Sequence, residues 1–526
     1  MRYKLGLLAA TSLGISFLYQ NCSQQGLVFE DISELASQGI PEAPICRPME
    51  ADEVAPRLHY SWDHQNSIEP QYNQIMASPV VGDLDQDGIP EIIFTTFKGS
   101  NYTADGIVRV LNGRTGQVKW SAVQPEVRSY GTTSPLTLDI DGDGKGEIFY
   151  LHSSRKKVVA LNHDGSTRWN LDIPSDLAQC NDGFSGAKLN SQKVSSIIAG
   201  PYVITEDSSR KPFINYTLEE SGSCQSFPAY LSNHSSSSIQ IVSASGVSNH
   251  RGEKLWNFLR PGSPAVADII KEAIGNEIVV TGGGYLTIYN GMTGQVLADR
   301  KLNEHSDLIC GKNANGEGIV GGGQASIGDF DGNPETLEIA IATGKSLTIF
   351  DNYGNKIAGS DTQDCSSLST GITSFDFNGD GKPEIIYADE QYLRIYEMNK
   401  SRDLKVIWET INPSGTLREY PVVADVDGDG YGELVAVANN YGHVWLYDTE
   451  SEKQATKNLT GLRVFKPHTE RAWMPTRKVW NQHSYFSSHI NDDLTMNGEN
   501  PGILGSRFFK RNPQGKVEFT ECRNNK

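Results

Sequence analysis

One phrase recurs along this chain and limits its fold more than any other property: a short apolar run, an acidic loop, then Glu-Ile or Glu-Leu opening a second apolar run. It reads SPVVGDLDQDGIPEIIF from Ser78, SPLTLDIDGDGKGEIFY from Ser134, ASIGDFDGNPETLEIAI from Ala325, ITSFDFNGDGKPEIIYA from Ile372 and YPVVADVDGDGYGELVA from Tyr420. A sixth copy, SPAVADIIKEAIGNEIVV from Ser263, keeps both apolar runs but has lost most of its acidic loop. Most copies are followed by a second phrase, an apolar strand, a Gly-containing turn and a strand that often carries Trp. Examples are VRVLNGRTGQVKW from Val108, LTIYNGMTGQVL from Leu286 and HVWLYDTESEKQ from His443. IQIVSASGVSNHRGEKLW from Ile239 has no acidic partner before it, and the gap from Asp139 to Asp268 is about twice the other intervals. A unit with a degenerate first half, around IIAGPYVITE from Ile197, is expected to fill that gap, which brings the count to seven.

Each unit offers four short strands of alternating or continuously apolar character, with turns and no amphipathic helical pattern between them. Units of about 50 to 60 residues are too long for a β-helix coil and too short for independent sandwiches. The expected fold is therefore all-β, a seven-bladed propeller of four-stranded antiparallel blades over residues 60–460. Residues 1–21 precede it as a signal peptide, 22–59 as a tether, and 461–526 follow as an extension that packs on or closes the ring. A coiled coil is excluded by 52 Gly against 23 Pro and the turns they imply. The net charge of −18, with no concentrated basic run, excludes nucleic acid as a partner.

The acidic loop has the chemistry of a cation site. In Asp83, Asp85, Asp87 and Glu91 carboxylates stand at positions 1, 3, 5 and 9, with Gly88 at position 6 and the carbonyl of Ile89 available at position 7. Six to eight oxygens in a flexible loop suit Ca²⁺ better than Mg²⁺; zinc would want His or Cys. The spacing recurs at Asp139, Asp141, Asp143, Lys145 and Glu147, at Asp376, Asn378, Asp380, Lys382 and Glu384, and at Asp425, Asp427, Asp429, Tyr431 and Glu433. Asp329, Asp331, Asn333 and Glu338 form a variant with one extra residue and no Gly at position 6. Four or five structural Ca²⁺ ions are expected. An EF-hand needs a bidentate Glu at position 12, where this chain has Phe94, Tyr150, Tyr387 or Ala436. Turn formation by Asp-Gly pairs explains one such loop, but not the repeated carboxylate spacing with its Glu.

These phrases resemble the FG-GAP and VCBS repeat family, whose best-known fold is the seven-bladed propeller of integrin α-subunits. The resemblance implies that the acidic loop joins the first and second strands of a blade and holds Ca²⁺, and that the chain is an extracellular binding or scaffolding module. The run WMPTRKVWNQHSYFSSHINDD from Trp473 also resembles the segment that follows such repeats in bacterial surface proteins. Trp120, Trp169, Trp256 and Trp408 recur at the ends of outer strands and are expected to pack between blades. They also resemble the Trp-bearing repeats of quinoprotein dehydrogenases, which hold pyrroloquinoline quinone on the axis. That is one enzyme alternative; a calcium-supported polysaccharide lyase is the other, and neither brings a catalytic constellation here. Propeller geometry favours disulfides Cys310–Cys365, Cys180–Cys224 and Cys46–Cys522 among the fifteen pairings that six cysteines allow. It also places the long inter-blade insertions, Leu171 to Gln192 and Asn303 to Gly323, on the face opposite the acidic loops. Exposed loops on a rigid scaffold are where recognition resides, so Arg128, Tyr130, Arg418 and Tyr420 are candidate partner anchors, with packing at the axis as the equal alternative.

Arg2 and Lys4 ahead of the apolar stretch Leu5 to Leu18 have the order of a secretory signal. Cys22 resembles the modified cysteine of bacterial lipoproteins, although Tyr19-Gln20-Asn21 departs from the small residue expected before it. The chain is thus expected to be exported, membrane-anchored through an N-terminal lipid at the periplasmic or outer surface, or else secreted, and monomeric. Gly316, Gly318 and Gly321 match a dinucleotide fingerprint but lack its strand and helix. His468, His483 and His489 are too irregularly spaced for a metal cluster. The function expected is a calcium-binding surface module that recognises a protein or carbohydrate, with a secreted propeller enzyme as the alternative.

Overall fold

The computed structural model describes residues 49–177, 183–189, 195–219, 225–232, 239–442 and 447–498. The apolar runs pair antiparallel into eight sheets that follow one another as blades, seven of them four-stranded and the first extended to six by Tyr72–Gln74 and Ser129–Tyr130. Blades 1 to 7 span 80–121, 136–172, 185–217, 227–257, 263–301, 326–361 and 373–411. Blade 8 takes Val422–Ala424, Glu433–Ala438 and Gly461–Pro467 from the end of the repeats, and its outer strand, Pro56–Ser61, from their beginning. This joint closes the ring with strands from opposite ends of the chain.

The expected count of seven is corrected to eight. The long gap holds two short blades, 3 and 4, neither with an acidic loop. Ile197 to Glu206 supplies the second and third strands of one, and Ile241 and Val247 lie in the corresponding strands of the other. The boundary at 460 also shifts: residues 443–446 lie outside the described residues, a helix at Glu450–Thr456 intervenes, and the third strand of blade 8 is Gly461–Pro467.

Neighbouring blades are fastened by one repeated contact. An aromatic ring on the fourth strand of a blade covers a glycine in the turn between strands three and four of the next. Trp120 lies over Gly165, Trp256 over Gly294, Tyr60 over Gly116 and Tyr216 over Gly252. Each of these glycines has a positive φ, and an added Cβ would meet the ring at under 3 Å. Trp169 donates its Nε1–H to Glu206 of the next blade, and Trp408 meets Phe465 edge-on at 5.6 Å. The expected packing role of the four Trp residues holds.

Residues 473–496 form a hairpin that fills the propeller axis. It enters at the acidic-loop end, where the Thr476 N–H donates to the Gly430 carbonyl (3.2 Å) and the Asp425 N–H to the Arg477 carbonyl (3.0 Å). Midway, Trp480 and Val81 exchange both main-chain hydrogen bonds at 2.9 Å, and the Thr137 N–H donates to the Asn481 carbonyl. At the far end the Tyr420 hydroxyl donates to the His483 carbonyl, and Ser78 Oγ lies 3.1 Å from His483 Nδ1. The chain then returns, and the Asp139 N–H donates to the Leu494 carbonyl. Blades 3, 4, 6 and 7 meet it through Gly186, Tyr230, Gln324 and Phe377, and Phe486 joins the apolar core of blades 4 to 6. Trp473, Trp480 and Tyr485 are completely buried.

Cys310 and Cys365 are disulfide-bonded with Cα atoms 5.5 Å apart, as expected. Cys22, Cys46, Cys180, Cys224 and Cys522 lie outside the described residues, and the lipidation and the other two pairings with them. Gly316 sits in the turn of a small hairpin, Gly311–Lys312 with Gly318–Ile319, and not in a phosphate loop. No helix among the described residues is long and apolar enough to cross a membrane.

Candidate cation sites on the acidic face

Each acidic loop leaves the first strand of its blade and returns into the second, and its hydrogen bonds follow from the residue spacing. The position-1 carboxylate accepts backbone N–H groups from its own loop: Asp139 from Gly142 (2.6 Å) and Gly144 (3.0 Å), Asp425 from Gly428 and Gly430, Asp376 from Gly379 and Gly381, Asp83 from Gly88. Position 5 accepts the N–H of position 7, which places Ile89, Lys145, Lys382 and Tyr431. The Glu at the end folds back under the loop and accepts the N–H of position 2, from Leu84, Ile140, Phe377 and Val426; Glu338 accepts that of Phe330 in the same way.

Carboxylate oxygens converge within 4.8 Å of one another in four loops: Asp83, Asp85 and Glu91; Asp139, Asp141 and Glu147; Asp329, Asp331 and Glu338; and Asp425, Asp427, Asp429 and Glu433. These clusters can hold a metal ion. In blade 7 the Asn378 amide instead donates to Glu384 at 2.7 Å. Burial disfavours the charge of these groups, pushing Glu91 and Glu338 up to about 7, Glu147 to about 8 and Asp425 to about 7. A bound cation would reverse that cost.

Basic side chains already meet part of it, which the sequence reading missed. Lys119 reaches Asp85 (2.7 Å) and Glu91 (2.8 Å), Arg168 reaches Asp141 and Glu147, and Lys466 reaches Asp427, Asp429 and Glu433. A signal existed: Lys119 and Arg168 each stand immediately before an outer-strand Trp, in blades whose loops are acidic. Arg210 and Arg402 lie in turns between strands three and four and reach back to Asp141 and Asp331 of the preceding blade. Those turns therefore share the acidic face. In blade 1 the compensation is incomplete. Asp83 is 3% exposed, and its Oδ1 and that of Asp85 are shielded from water without a hydrogen-bond partner among the described residues. Two such oxygens, on residues whose carboxylates converge within 4.8 Å, fit a cation.

Residues 376–436 match the FG-GAP-like repeat family. These residues carry an FG-GAP-like repeat. The match runs from the acidic loop of blade 7 through that of blade 8, so the FG-GAP-like unit begins in one blade and ends in the next. Residues 71–206 match a second family, outer membrane protein assembly factor BamB. No curated protein matches the chain. Among solved structures, the V. cholerae biofilm matrix protein Bap1 is similar at 18% identity and a TM-score of 0.68, covering 88% of this chain and 98% of that one. The rhamnogalacturonan lyase YesW gives 17% and 0.52, covering 85% and 79%. A Bacillus licheniformis rhamnogalacturonan lyase gives 19% and 0.50, covering 70% of each chain. At these identities the likeness is one of fold.

The residues expected as partner anchors are not presented as such. Tyr420 is completely buried beneath the hairpin and Tyr130 is 3% exposed. Arg128 is held by Glu69 and Asp105 and lies 5.1 Å over the Tyr72 ring. Arg418 is half-buried, its carbonyl accepting from Ser78 Oγ. The packing alternative therefore holds for both tyrosines, because the axis they border is occupied by protein. The same occupancy removes the place a pyrroloquinoline quinone would take: Trp480, His483 and Tyr485 stand there.

Proposed function

We propose that this chain is an exported, calcium-supported propeller that recognises or scaffolds a protein or carbohydrate at the cell surface, tethered through a lipid on Cys22. The observation that carries this reading is the filled axis. With its axis filled, the molecule offers a rigid disc whose available surfaces are its loops, and the acidic loops act as rivets along one face. The Cys310–Cys365 bond suits an oxidising compartment outside the cytosol. Similarity to a biofilm matrix protein across nearly the whole of that chain supports a scaffolding role. Similarity to rhamnogalacturonan lyases keeps one enzyme reading, cleavage of an acidic polysaccharide.

Calorimetric titration with CaCl₂ is expected to show binding at roughly 10⁻⁴ to 10⁻³ M, the range of extracellular modules. At about ten times Kd each site adds about 1.4 kcal/mol, so chelator should lower the melting temperature. The absence of both binding heat and a melting shift would remove calcium from the reading. A glycan array against the calcium-loaded chain, with a turnover assay on rhamnogalacturonan, separates recognition from cleavage. Turnover would replace the scaffold reading with the lyase.

A further inference from the structure

We propose that the C-terminal hairpin is a cation-gated plug: ions in the acidic loops hold residues 473–498 tightly in the axis, and removing them loosens the hairpin while the blades stay closed. This rests on the cation reading of the loops. In three blades the position-1 aspartate itself touches the hairpin. The Asp139 N–H donates to the Leu494 carbonyl at 2.9 Å and the Asp425 N–H to the Arg477 carbonyl at 3.0 Å. Lys478 of the hairpin meets Asp83 Oδ2 at 3.0 Å, on the carboxylate whose other oxygen is buried without a partner among the described residues.

Further contacts fall on the same loops. Gly430 and Gly432, inside the blade 8 loop, bond to Thr476 and Met474. Gln86 reaches the Asp493 carbonyl, and Met474 lies against Gly379 of blade 7. Without an ion, carboxylates within 4.8 Å repel one another and the loop spreads. The N–H groups that grip the hairpin belong to those same residues, so they move as the loop does. Closure of the ring rests on the main-chain pairing of Pro56–Ser61 with Gly461–Pro467, which meets the blade 8 loop through the Lys466 side chain and not through its backbone hydrogen bonds to Pro56–Ser61. Loss of the ions therefore loosens the plug before it opens the propeller.

Hydrogen–deuterium exchange on the full chain, in calcium and after chelation, tests this. Amides of 473–498 are expected to exchange about tenfold faster after chelation. Those of Ser196–Ala199 and Tyr202–Glu206 in blade 3, and of the closing pair, should not change. Asp83→Asn should give the faster exchange at the hairpin even in calcium. Calorimetry on the same samples keeps the two readings apart. Calcium heat with an unchanged hairpin would overturn the gate and leave the cation reading standing; absence of heat would overturn both. Equal acceleration in every blade would also overturn the gate, since the ions would then hold the whole ring.

Discussion

Trp480→Ala is expected to lower stability by about 3–5 kcal/mol, the cost of emptying a fully buried aromatic site. Trp480 is at the centre of the axial hairpin with no exposed surface. Its ring stacks on Tyr485 at 4.4 Å and 23°, and its indole N–H points at the Tyr420 hydroxyl 3.4 Å away. The neighbours cannot collapse into the hole, because they are the inner strands of a closed ring, each held in its own sheet. Trp480→Phe retains the stack and should cost markedly less. Urea unfolding of both variants measures the difference. An alanine variant within about 1 kcal/mol of the parent would mean that the hairpin is not part of the core.

The acidic loops were legible because everything that defines them is local. Carboxylates at positions 1, 3, 5 and 9 bond to backbone within the same nine residues, so spacing alone carries the geometry. The blade fold was legible from the same repetition. The blade count was not, since blades 3 and 4 lack the phrase that marks the others, and Phe227–Ala229 is too short a strand to stand out. The helix at Glu450–Thr456 carried a readable signal: Thr449 and Glu452 form a capping box, the S/T-x-x-E pattern of a helix start. It was overridden by the apolar run from His443. The hairpin was illegible for a different reason. Its Trp, Tyr and Phe residues show no periodicity, because they pack on different blades in turn and not on one face of a sheet. Tyr420 therefore read as an exposed anchor, when its ring is covered by a segment some sixty residues further on.

Glu277→Gln is expected to stabilise the chain at neutral and alkaline pH, and the sign follows from its burial. Blade 5 has lost its acidic loop but kept the Glu that folds beneath it: Oε2 accepts the Ile269 and Ile270 N–H groups at 2.9 and 3.0 Å. In blades 1, 2 and 8 a Lys or Arg meets the other oxygen, whereas Glu277 Oε1 is buried without a hydrogen-bond partner among the described residues. Burial, opposed by those two N–H groups, pushes this carboxyl up to about 7. The folded state then holds a proton that the unfolded chain has released, so this group's contribution is complete below about pH 4.5 and is lost as pH rises to about 7. The shift corresponds to roughly 3 kcal/mol of penalty above pH 7. Glutamine keeps the accepting oxygen and does not ionise, and it removes the repulsion between Glu277 and Asp268. Its advantage over the parent in urea unfolding should be absent near pH 4, grow through pH 5 to 7 and level off by pH 8. A difference that does not change with pH would show that Glu277 is already neutral or paired, and that blade 5 bears no cost for the basic partner it lacks.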